Sequence, residues 1–461
     1  MDAANANVLE LGRTPAHTIL RLSWPAILEQ IAFTVLNFAD TAMVGVLGAV
    51  YTAAVGITAP IIWLTGGIIA AVSVGFSVQV AQRVGSGELE DAGRAAAQSL
   101  LAAMAAGLLL LGLGLAVTPY LPGWLGAQPE VIPMASQYFF VMCFSFFANS
   151  LVVTISSVLR CVGDTKSPMW ANMLAIVVNI VFNYLFIYPT HTLTLFGRSV
   201  TVWGAGLEVA GAALGSVLAI VVAVLLLLPP LLGNRRGLHI TLAAVLRPHR
   251  PTLRRAWELG LPVFCERVTL ALGQVAFMRI ISGLGTTALA AHHLAVQAES
   301  LSYMPAFGFS IAATTLVGQS IGAGDPQRAR TFGRLAANMS AGLMGITGAV
   351  LFFGGGWLVS LFTRDAAVIS LGHALLCIVA FAQPPQAYAI AYAGALRGAG
   401  DSRWPFYINL VGVWGIRVLL CALFVFGFGW GLRSAWIAML ADLAFRGAVC
   451  RKRFLNSVGT A

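Results

Sequence analysis

Long apolar runs dominate this chain of 461 residues. Hydrophobic residues make up 59% of it and charged residues only 10%, whereas a soluble globular chain carries about 25% charged residues. Because a membrane-spanning helix needs about 20 apolar residues, the runs predict an all-α polytopic membrane protein with twelve transmembrane helices. We place the helices at 16–46, 53–80, 95–119, 133–158, 169–190, 204–232, 256–283, 287–318, 335–361, 367–394, 405–428 and 433–450.

Basic residues are distributed unequally between the loops that join these predicted spans. Of the 27 Lys and Arg residues, 21 fall in one set of alternate loops and the two termini, three fall in the opposite loops, and three lie within spans. Loops rich in Lys and Arg stay on the cytoplasmic side. We therefore expect both termini in the cytoplasm, and we expect the net charge of +10 to set orientation rather than to bind nucleic acid.

The chain contains an internal repeat with a constant offset of 237 residues. The segment VLRCVGDTKSP at 158–168 matches ALRGAGDSRWP at 395–405, and the same offset relates Glu29 to Glu266. Each half holds six predicted spans, an even number, so the halves share one orientation and are related by a pseudo-two-fold axis along the membrane normal. We predict an N-terminal lobe at 1–232, a basic cytoplasmic linker at 233–255 and a C-terminal lobe at 256–461.

Acids and amides inside the spans are the candidate functional residues, because a charge at mid-bilayer costs about 2.5–3.5 kcal/mol. Glu29, Asn37 and Asp40 share one face of span 1, since Glu29 and Asp40 are three helical turns apart. Asn179 and Asn183 share a face of span 5. Amide groups can hydrogen-bond a carboxylic acid or coordinate a small cation. We predict that Asp40, Asn179 and Asn183 form the cation-coupling site, with no metal site beyond Na⁺ at Asp40.

Span 7 repeats only part of this pattern. Glu266 and Gln274 repeat the acid and the amide of span 1, whereas Phe277 stands where span 1 has Asp40. The coupling acid is therefore expected in the N-terminal half alone. Because Glu266 has a counterpart in Glu29, the residues allow either a shared structural role or cation binding for this pair.

The remaining polar residues within spans indicate where a substrate would bind. Intramembrane acids and amides face the interior of a helix bundle or a water-filled cavity. We expect the substrate cavity to be lined by Asn37, Glu29, Glu266, Gln274, Glu299 and Gln386. We expect Arg417 to pair with an acid or with backbone carbonyls rather than to bind substrate.

Enzyme motifs are absent from the sequence. There is no GxxxxGK[ST], HExxH or GxSxG, so neither ATP hydrolysis nor another enzymatic activity is indicated. The six cysteines form no CxxC pair and are interpreted as packing residues. We expect no cofactor other than the coupling ion, which is H⁺ or Na⁺.

Three stretches resemble the multidrug and toxic-compound extrusion (MATE) family. LSWPAILEQ...NFADTAMVGVLG at 22–48 resembles its first span, in which a Pro is followed fifteen residues later by the Asp of a DTxxxG step. The stretches at 290–319 and 395–403 are similar to its eighth span and its tenth-to-eleventh loop. The resemblance implies two six-helix lobes that form a V around a cleft. It also implies export of bulky, often cationic compounds driven by inward H⁺ or Na⁺ flow.

The resemblance implies roles for particular residues as well. It makes Asp40 the cation site of the N-terminal lobe, supported by Asn179 and Asn183. Asn183 stands where one branch of the family has a second Asp. Leu270 and Gln386 stand where other members carry a cation-binding Glu and an Asp. The sodium site that those members have in the C-terminal lobe is therefore not expected here.

These observations predict a secondary antiporter that exports amphiphilic, cationic drugs or toxic metabolites by alternating access. The alternative is a flippase of the same superfamily for lipid-linked precursors or polysaccharides, which needs no acidic cation site and would line its cavity with basic side chains. We expect a multi-pass monomer in a bacterial or archaeal plasma (inner) membrane, whose partners are small molecules and the lipid bilayer, without nucleic acid.

Overall fold

The computed structural model describes residues 14–195, 198–233, 238 and 240–458. Arg13, Arg235 and Arg236, which contribute to the count of basic residues, lie outside these residues.

The N-terminal half consists of long helices and one hairpin. Its helices are α1 (Pro15–Gly45), α2 (Ala49–Gly85), α3 (Leu89–Val117), α4 (Leu121–Trp124), α5 (Ile132–Cys161), α6 (Lys166–Ile187) and α7 (Glu208–Leu232). Between α6 and α7, strands β1 (Pro189–Leu195) and β2 (Arg198–Ala205) pair as an antiparallel hairpin. The all-α prediction missed this hairpin, although PTHTLTL and RSVTVWGA alternate polar and apolar residues as a strand does.

The C-terminal half repeats the helical plan without a hairpin in its described residues. Its helices are α8 (Leu242–Leu246), α9 (Arg250–Ser282), α10 (Thr286–Gly322), α11 (Pro326–Ser360), α12 (Ala366–Ala380), α13 (Gln383–Gly398), α14 (Arg403–Leu410), α15 (Leu419–Ala422) and α16 (Leu432–Ser457). Two π-helical segments, Val411–Val418 and Leu423–Gly427, make 403–427 one continuous helix. Helix α9 begins inside the segment predicted as a linker.

These elements match the twelve predicted spans. In the described part of the chain, ten helices are long and apolar enough to cross a membrane, and α12 with α13 forms an eleventh span bent by 53°. The twelfth is α16, which is less apolar because Asp442 and Arg446 lie within it. The predicted fold class is confirmed, and the protein is a multi-pass membrane protein with a small hairpin added.

The repeated GD motif is a helix-ending turn in both halves. Gly163 and Gly400 have φ values of 80° and 86°, in the left-handed region that glycine adopts at little cost. The Asp164 amide donates to the Leu159 carbonyl at 2.9 Å, which closes the turn after α5. The Asp164 side chain then accepts from the Ser167 amide at 3.0 Å and so caps α6. The motif therefore joins two helices.

The two lobes approach each other through small residues. A Cβ added to Gly308 of α10 would lie 3.1 Å from the Ser23 carbonyl oxygen of α1, and one added to Gly260 of α9 would lie 2.9 Å from that of Ala71 in α2. The offset of 237 relates Gly308 to Ala71 and Gly260 to Ser23, so these two contacts are pseudo-symmetric. The α1–α10 and α2–α9 contacts therefore build the interface between the lobes.

Candidate functional site

Helices α1 and α6 lie side by side and bring Asp40 to two amides. The Asn183 Nδ2 donates to Asp40 Oδ1 at 2.7 Å. With its amide nitrogen turned toward the carboxylate, Asn179 donates to the same oxygen at 3.0 Å, and its own oxygen accepts from the Ser216 hydroxyl at 3.1 Å. The structure thus brings together the three residues that we predict to form the cation-coupling site, and α7 adds Ser216.

Close packing of α6 on α7 holds these amides in place. Asn179 and Asn183 are buried. A Cβ added to Gly215 of α7 would collide with the Asn183 side-chain oxygen, so only glycine lets the two helices approach this closely. That oxygen, Asn183 Oδ1, has no hydrogen-bond partner in the described part of the structure. A buried acceptor beside a carboxylate suits a protonated acid or a small cation as its partner.

Three other intramembrane acids have a different environment from that of Asp40. Asp40 has amide donors, and Tyr138 of α5 interacts with it electrostatically. No basic side chain among the described residues lies within ion-pair distance of Asp40, whereas Glu29, Glu266 and Asp442 each pair with arginine. A charge change at Asp40 is therefore not neutralised by a fixed cation at contact distance.

Glu29 belongs to a half-buried three-residue cluster that the other lobe repeats. Arg160 Nη2 donates to both Glu29 oxygens at 2.6 Å, and Asn172 Nδ2 donates to one of them at 2.8 Å. In the C-terminal lobe the residues 237 positions later repeat these bonds. There, Arg397 Nη2 donates to Glu266 at 2.7 and 2.8 Å, and Asn409 donates at 2.9 Å.

This symmetry bears on the two roles that the sequence left open for these acids. In each lobe both carboxylate oxygens are occupied by arginine, and one of them also by asparagine, so neither Glu29 nor Glu266 is a free acid. The arrangement matches the shared structural role. Their predicted place in the wall of the substrate cavity stays a prediction.

The C-terminal lobe extends its cluster into a longer network that sequence analysis missed. Arg446 of α16 donates to Asn409 at 2.8 Å and pairs with Asp442 at 2.8 Å. Arg417 donates to Asp442 at 2.9 Å and so pairs with an acid, as expected. The signal that could have revealed this network is the spacing of Asp442 and Arg446, four residues apart within an apolar span.

The remaining cavity candidates make no hydrogen bond to Asp40 among the described residues. Asn37 of α1 and Gln274 of α9 have exposed side chains. Glu299 is buried in α10, where Arg417 and Tyr303 interact with it electrostatically. Gln386 is half-buried, and its side-chain oxygen has no hydrogen-bond partner among the described residues. Their role in substrate binding also stays a prediction.

Two glutamines connect the lobes near one end of the helices. We call it the basic end, because the turns 86–88, 162–165, 323–325 and 399–402 and their flanking arginines lie there. Gln82 of α2 donates to the Gly398 carbonyl at 3.0 Å, and Gln319 of α10 donates to the Cys161 carbonyl at 2.7 Å. A Cβ on Gly85 or on Gly322 would collide with the backbone of the opposite glutamine. The lobes are therefore closed against each other at the basic end.

Comparison with known proteins identifies the family. A model of the MatE family matches residues 25–185 and 262–423, and the second match begins 237 residues after the first. The chain is 27% identical over 442 residues to a probable multidrug resistance protein NorM of Thermotoga maritima, which covers 95% of this chain and 92% of that protein.

Two solved structures share the fold. One is a MOP superfamily transporter from Pyrococcus furiosus, and the other is described as the outward-facing conformation of a multidrug resistance MATE family transporter. Each has a TM-score of 0.89 and 23% identity, with 98% of both chains covered. The family model matches both halves of this chain over most of their length, and the chain therefore belongs to the MatE family of multidrug and toxic-compound extrusion transporters.

Proposed function

We propose that this transporter is a cation-coupled antiporter that exports amphiphilic, cationic drugs or toxic metabolites across a bacterial or archaeal plasma membrane. The observation that carries the proposal is the Asp40 carboxylate, held by Asn183 at 2.7 Å with no described basic side chain at contact distance. The NorM relative is a probable multidrug resistance protein, which supports the class of substrate. The activity that we propose is transport rather than catalysis.

Asp40 supplies the coupling step in this proposal. As a carboxylate it accepts hydrogen bonds from the amides of Asn179 and Asn183, and it also attracts a cationic substrate. When H⁺ or Na⁺ binds, the negative charge is neutralised and the attraction for the substrate is lost. The ion and the substrate then compete for one carboxylate. Each can shift the conformational equilibrium only by the difference between its affinities for the inward-open and outward-open conformations.

Helix α1 connects the ion-binding residue Asp40 to the interface between the lobes. Its C-terminal half carries Asp40, and its N-terminal half packs against Gly308 of α10 through Ser23. A proline at position 25 lies close to this contact and removes one backbone hydrogen bond of the helix. We propose that α1 bends or tilts when Asp40 binds its ion, and that this motion loosens the α1–α10 contact.

The closed basic end fits one state of an alternating-access cycle. The bias of basic residues predicts that this end and both termini face the cytoplasm. In the proposed cycle the bonds of Gln82 and Gln319 break when the cleft opens to the cytoplasm and re-form when it opens outward. The chain performs this cycle as a monomer, without a cofactor other than the coupling ion.

The flippase alternative would use basic side chains to bind a phosphate-containing substrate. The arginines Arg160, Arg397 and Arg417 are each engaged by an acid, so they do not provide a free basic surface for such a substrate. The Nε of Arg267 in α9, near Gly67 of α2, has no hydrogen-bond partner among the described residues. The proposal of an antiporter therefore rests on Asp40 and not on an absence of basic side chains.

Transport by the purified protein in proteoliposomes tests the proposal. Ethidium is added on the side of the membrane from which it is to be transported, and a proton gradient and a sodium gradient are imposed in separate experiments. We expect accumulation against the ethidium gradient under one of the two ions, without ATP. Transport at equal rate with neither gradient would show an uncoupled pathway and overturn the antiporter.

A further inference from the structure

An open cavity lies at the basic end of the α1–α6 pair, outside the site described above. Its volume is about 360 Å³, and its wall is formed by His17, Leu20, Arg21, Trp24 and Lys166. Three of these five side chains are basic. All five side chains are exposed. None of them takes part in the Asp40 cluster or in the Gln82 and Gln319 contacts.

The faces that continue from this cavity are apolar. On α1, Arg21 and Trp24 are followed on the same face by Leu28. On α6, Lys166 is followed by Trp170 and Leu174, each four residues further along. Trp24, Trp170, Leu28 and Leu174 are all exposed large hydrophobic side chains. Each helix thus passes from a basic residue to tryptophan and then to leucine, in the order of headgroup, interface and hydrocarbon in a lipid leaflet.

The opposite end of the same helix pair lacks this charge. A second cavity of about 740 Å³ is lined there by Met43, Ile180, Val181, Tyr184, Leu185, Tyr188 and Pro189. No basic side chain is part of its wall. A preference for a negatively charged headgroup is therefore restricted to the basic end.

The internal repeat supplies a comparison within the chain. The residues of the C-terminal lobe that correspond to His17, Arg21 and Lys166 are Arg254, Glu258 and Arg403. There an acid replaces Arg21, and Arg254 pairs with it at 3.2 Å. The N-terminal position instead carries three basic residues and no acid among the three. The two lobes therefore share this face but differ in its charge.

We propose that the cavity formed by His17, Arg21 and Lys166 binds the phosphate of an anionic phospholipid, whose acyl chain lies along α1 and α6. Basic pockets between membrane helices bind such headgroups by charge, and tryptophan favours the same depth. Helices α1 and α6 also carry Asp40 and Asn183. The bound lipid would therefore contact the two helices that build the coupling site. The inference does not depend on the coupling ion or on the transported compound.

Native mass spectrometry of the purified full chain tests this site. Dioleoylphosphatidylglycerol and dioleoylphosphatidylcholine are titrated separately, and the adducts are counted. The variant Arg21→Gln with Lys166→Gln removes two positive charges from the cavity. The variant Arg254→Gln with Arg403→Gln removes two from the corresponding face of the other lobe, so both have the same net charge. Thermal unfolding in phosphatidylcholine checks that both are folded.

We expect the unmodified protein to prefer phosphatidylglycerol. The N-terminal variant should lose about tenfold or more of that affinity, because each basic residue near an anionic surface contributes about a factor of five. The C-terminal variant should retain it. Equal losses in both variants would show unselective attraction to surface charge and overturn the site, as would no loss in the N-terminal variant. Displacement of the lipid by millimolar inorganic phosphate would show a site for a soluble anion and overturn the lipid assignment.

Discussion

Gln82 and Gln319, which the repeat makes equivalent, each donate a hydrogen bond to a backbone carbonyl of the opposite lobe. The acceptors, Gly398 and Cys161, are themselves related by the same offset of 237. The pair is thus a pseudo-symmetric contact in which each lobe supplies one donor and one acceptor. Glycine at positions 85 and 322 lets the two helix ends approach closely enough for both bonds.

Replacing both glutamines by leucine should favour opening at the basic end. Each neutral hydrogen bond contributes about 0.5–1.5 kcal/mol, so losing two should shift the equilibrium about tenfold or more. Cys161 reports the opening, because its thiol is buried and its carbonyl accepts from Gln319. In a protein that retains Cys161 as its single cysteine, maleimide labelling should become faster. Gln327→Leu, at an exposed position, is the control. An unchanged labelling rate in the double variant would show that the two glutamine hydrogen bonds do not hold the basic end closed.

Asp40→Asn should abolish gradient-driven efflux while the protein stays folded. The change keeps the size of the side chain but removes the charge that the coupling ion neutralises. Efflux of ethidium and the thermal unfolding midpoint are measured on the same preparation. Asp91→Asn in α3 makes the same change of charge and is the control, since its partly exposed carboxylate pairs with Arg94 of its own helix. Efflux at the unmodified rate in Asp40→Asn would rule out Asp40 as the coupling residue.

Gly215→Ala tests the geometry of the site without changing a charge. The added methyl group would collide with the Asn183 side chain and displace it from Asp40. Overpacking of this kind costs about 1–3 kcal/mol, and we expect efflux to fall about tenfold. Gly56→Ala is the matched control, because a Cβ there meets nothing within 4 Å. Equal efflux from both variants would show that the position of Asn183 is unimportant.

Glu29→Gln should destabilise the protein without removing ion coupling. It leaves the half-buried Arg160 side chain without its carboxylate. Breaking a fully buried pair costs about 3–5 kcal/mol, and we expect a smaller loss for this partly exposed pair. Adding Arg160→Gln should recover part of this loss, and the same cycle at Glu266 and Arg397 should give a similar coupling free energy. Thermal unfolding measures both cycles. A stable Glu29→Gln variant without efflux would instead assign Glu29 to the coupling site.

The orientation is tested by labelling whole cells that produce single-cysteine variants. Gln128 lies in the exposed turn after α4, and Ser86 lies in the exposed turn at the basic end. The bias of basic residues predicts that Gln128→Cys reacts with a membrane-impermeant maleimide and that Ser86→Cys reacts only after lysis. The opposite pattern would reverse the topology and place the closed end outside.

The sequence by itself determined the helical spans and the repeat. A helix that crosses the hydrocarbon core of a bilayer needs a run of about 20 apolar residues, and such a run is visible in the local sequence. Twelve runs therefore predicted twelve spans. The face shared by Asp40 and Asn37, and that shared by Asn179 and Asn183, also follow from helical spacing. The hairpin β1–β2 was missed because its short alternating strands carry a weaker signal than the spans around them.

Only the tertiary structure decided which polar groups meet. Glu29 and Arg160 are 131 residues apart, and no local rule pairs them. Burial makes an unpaired carboxylate or guanidinium costly, so most of these groups take a partner where helix packing offers one. That packing engages Glu29, Glu266 and Arg417 in ion pairs and leaves Asp40 with amide donors. Whether an intramembrane acid is paired with arginine or held by amides therefore depends on which helices pack against it.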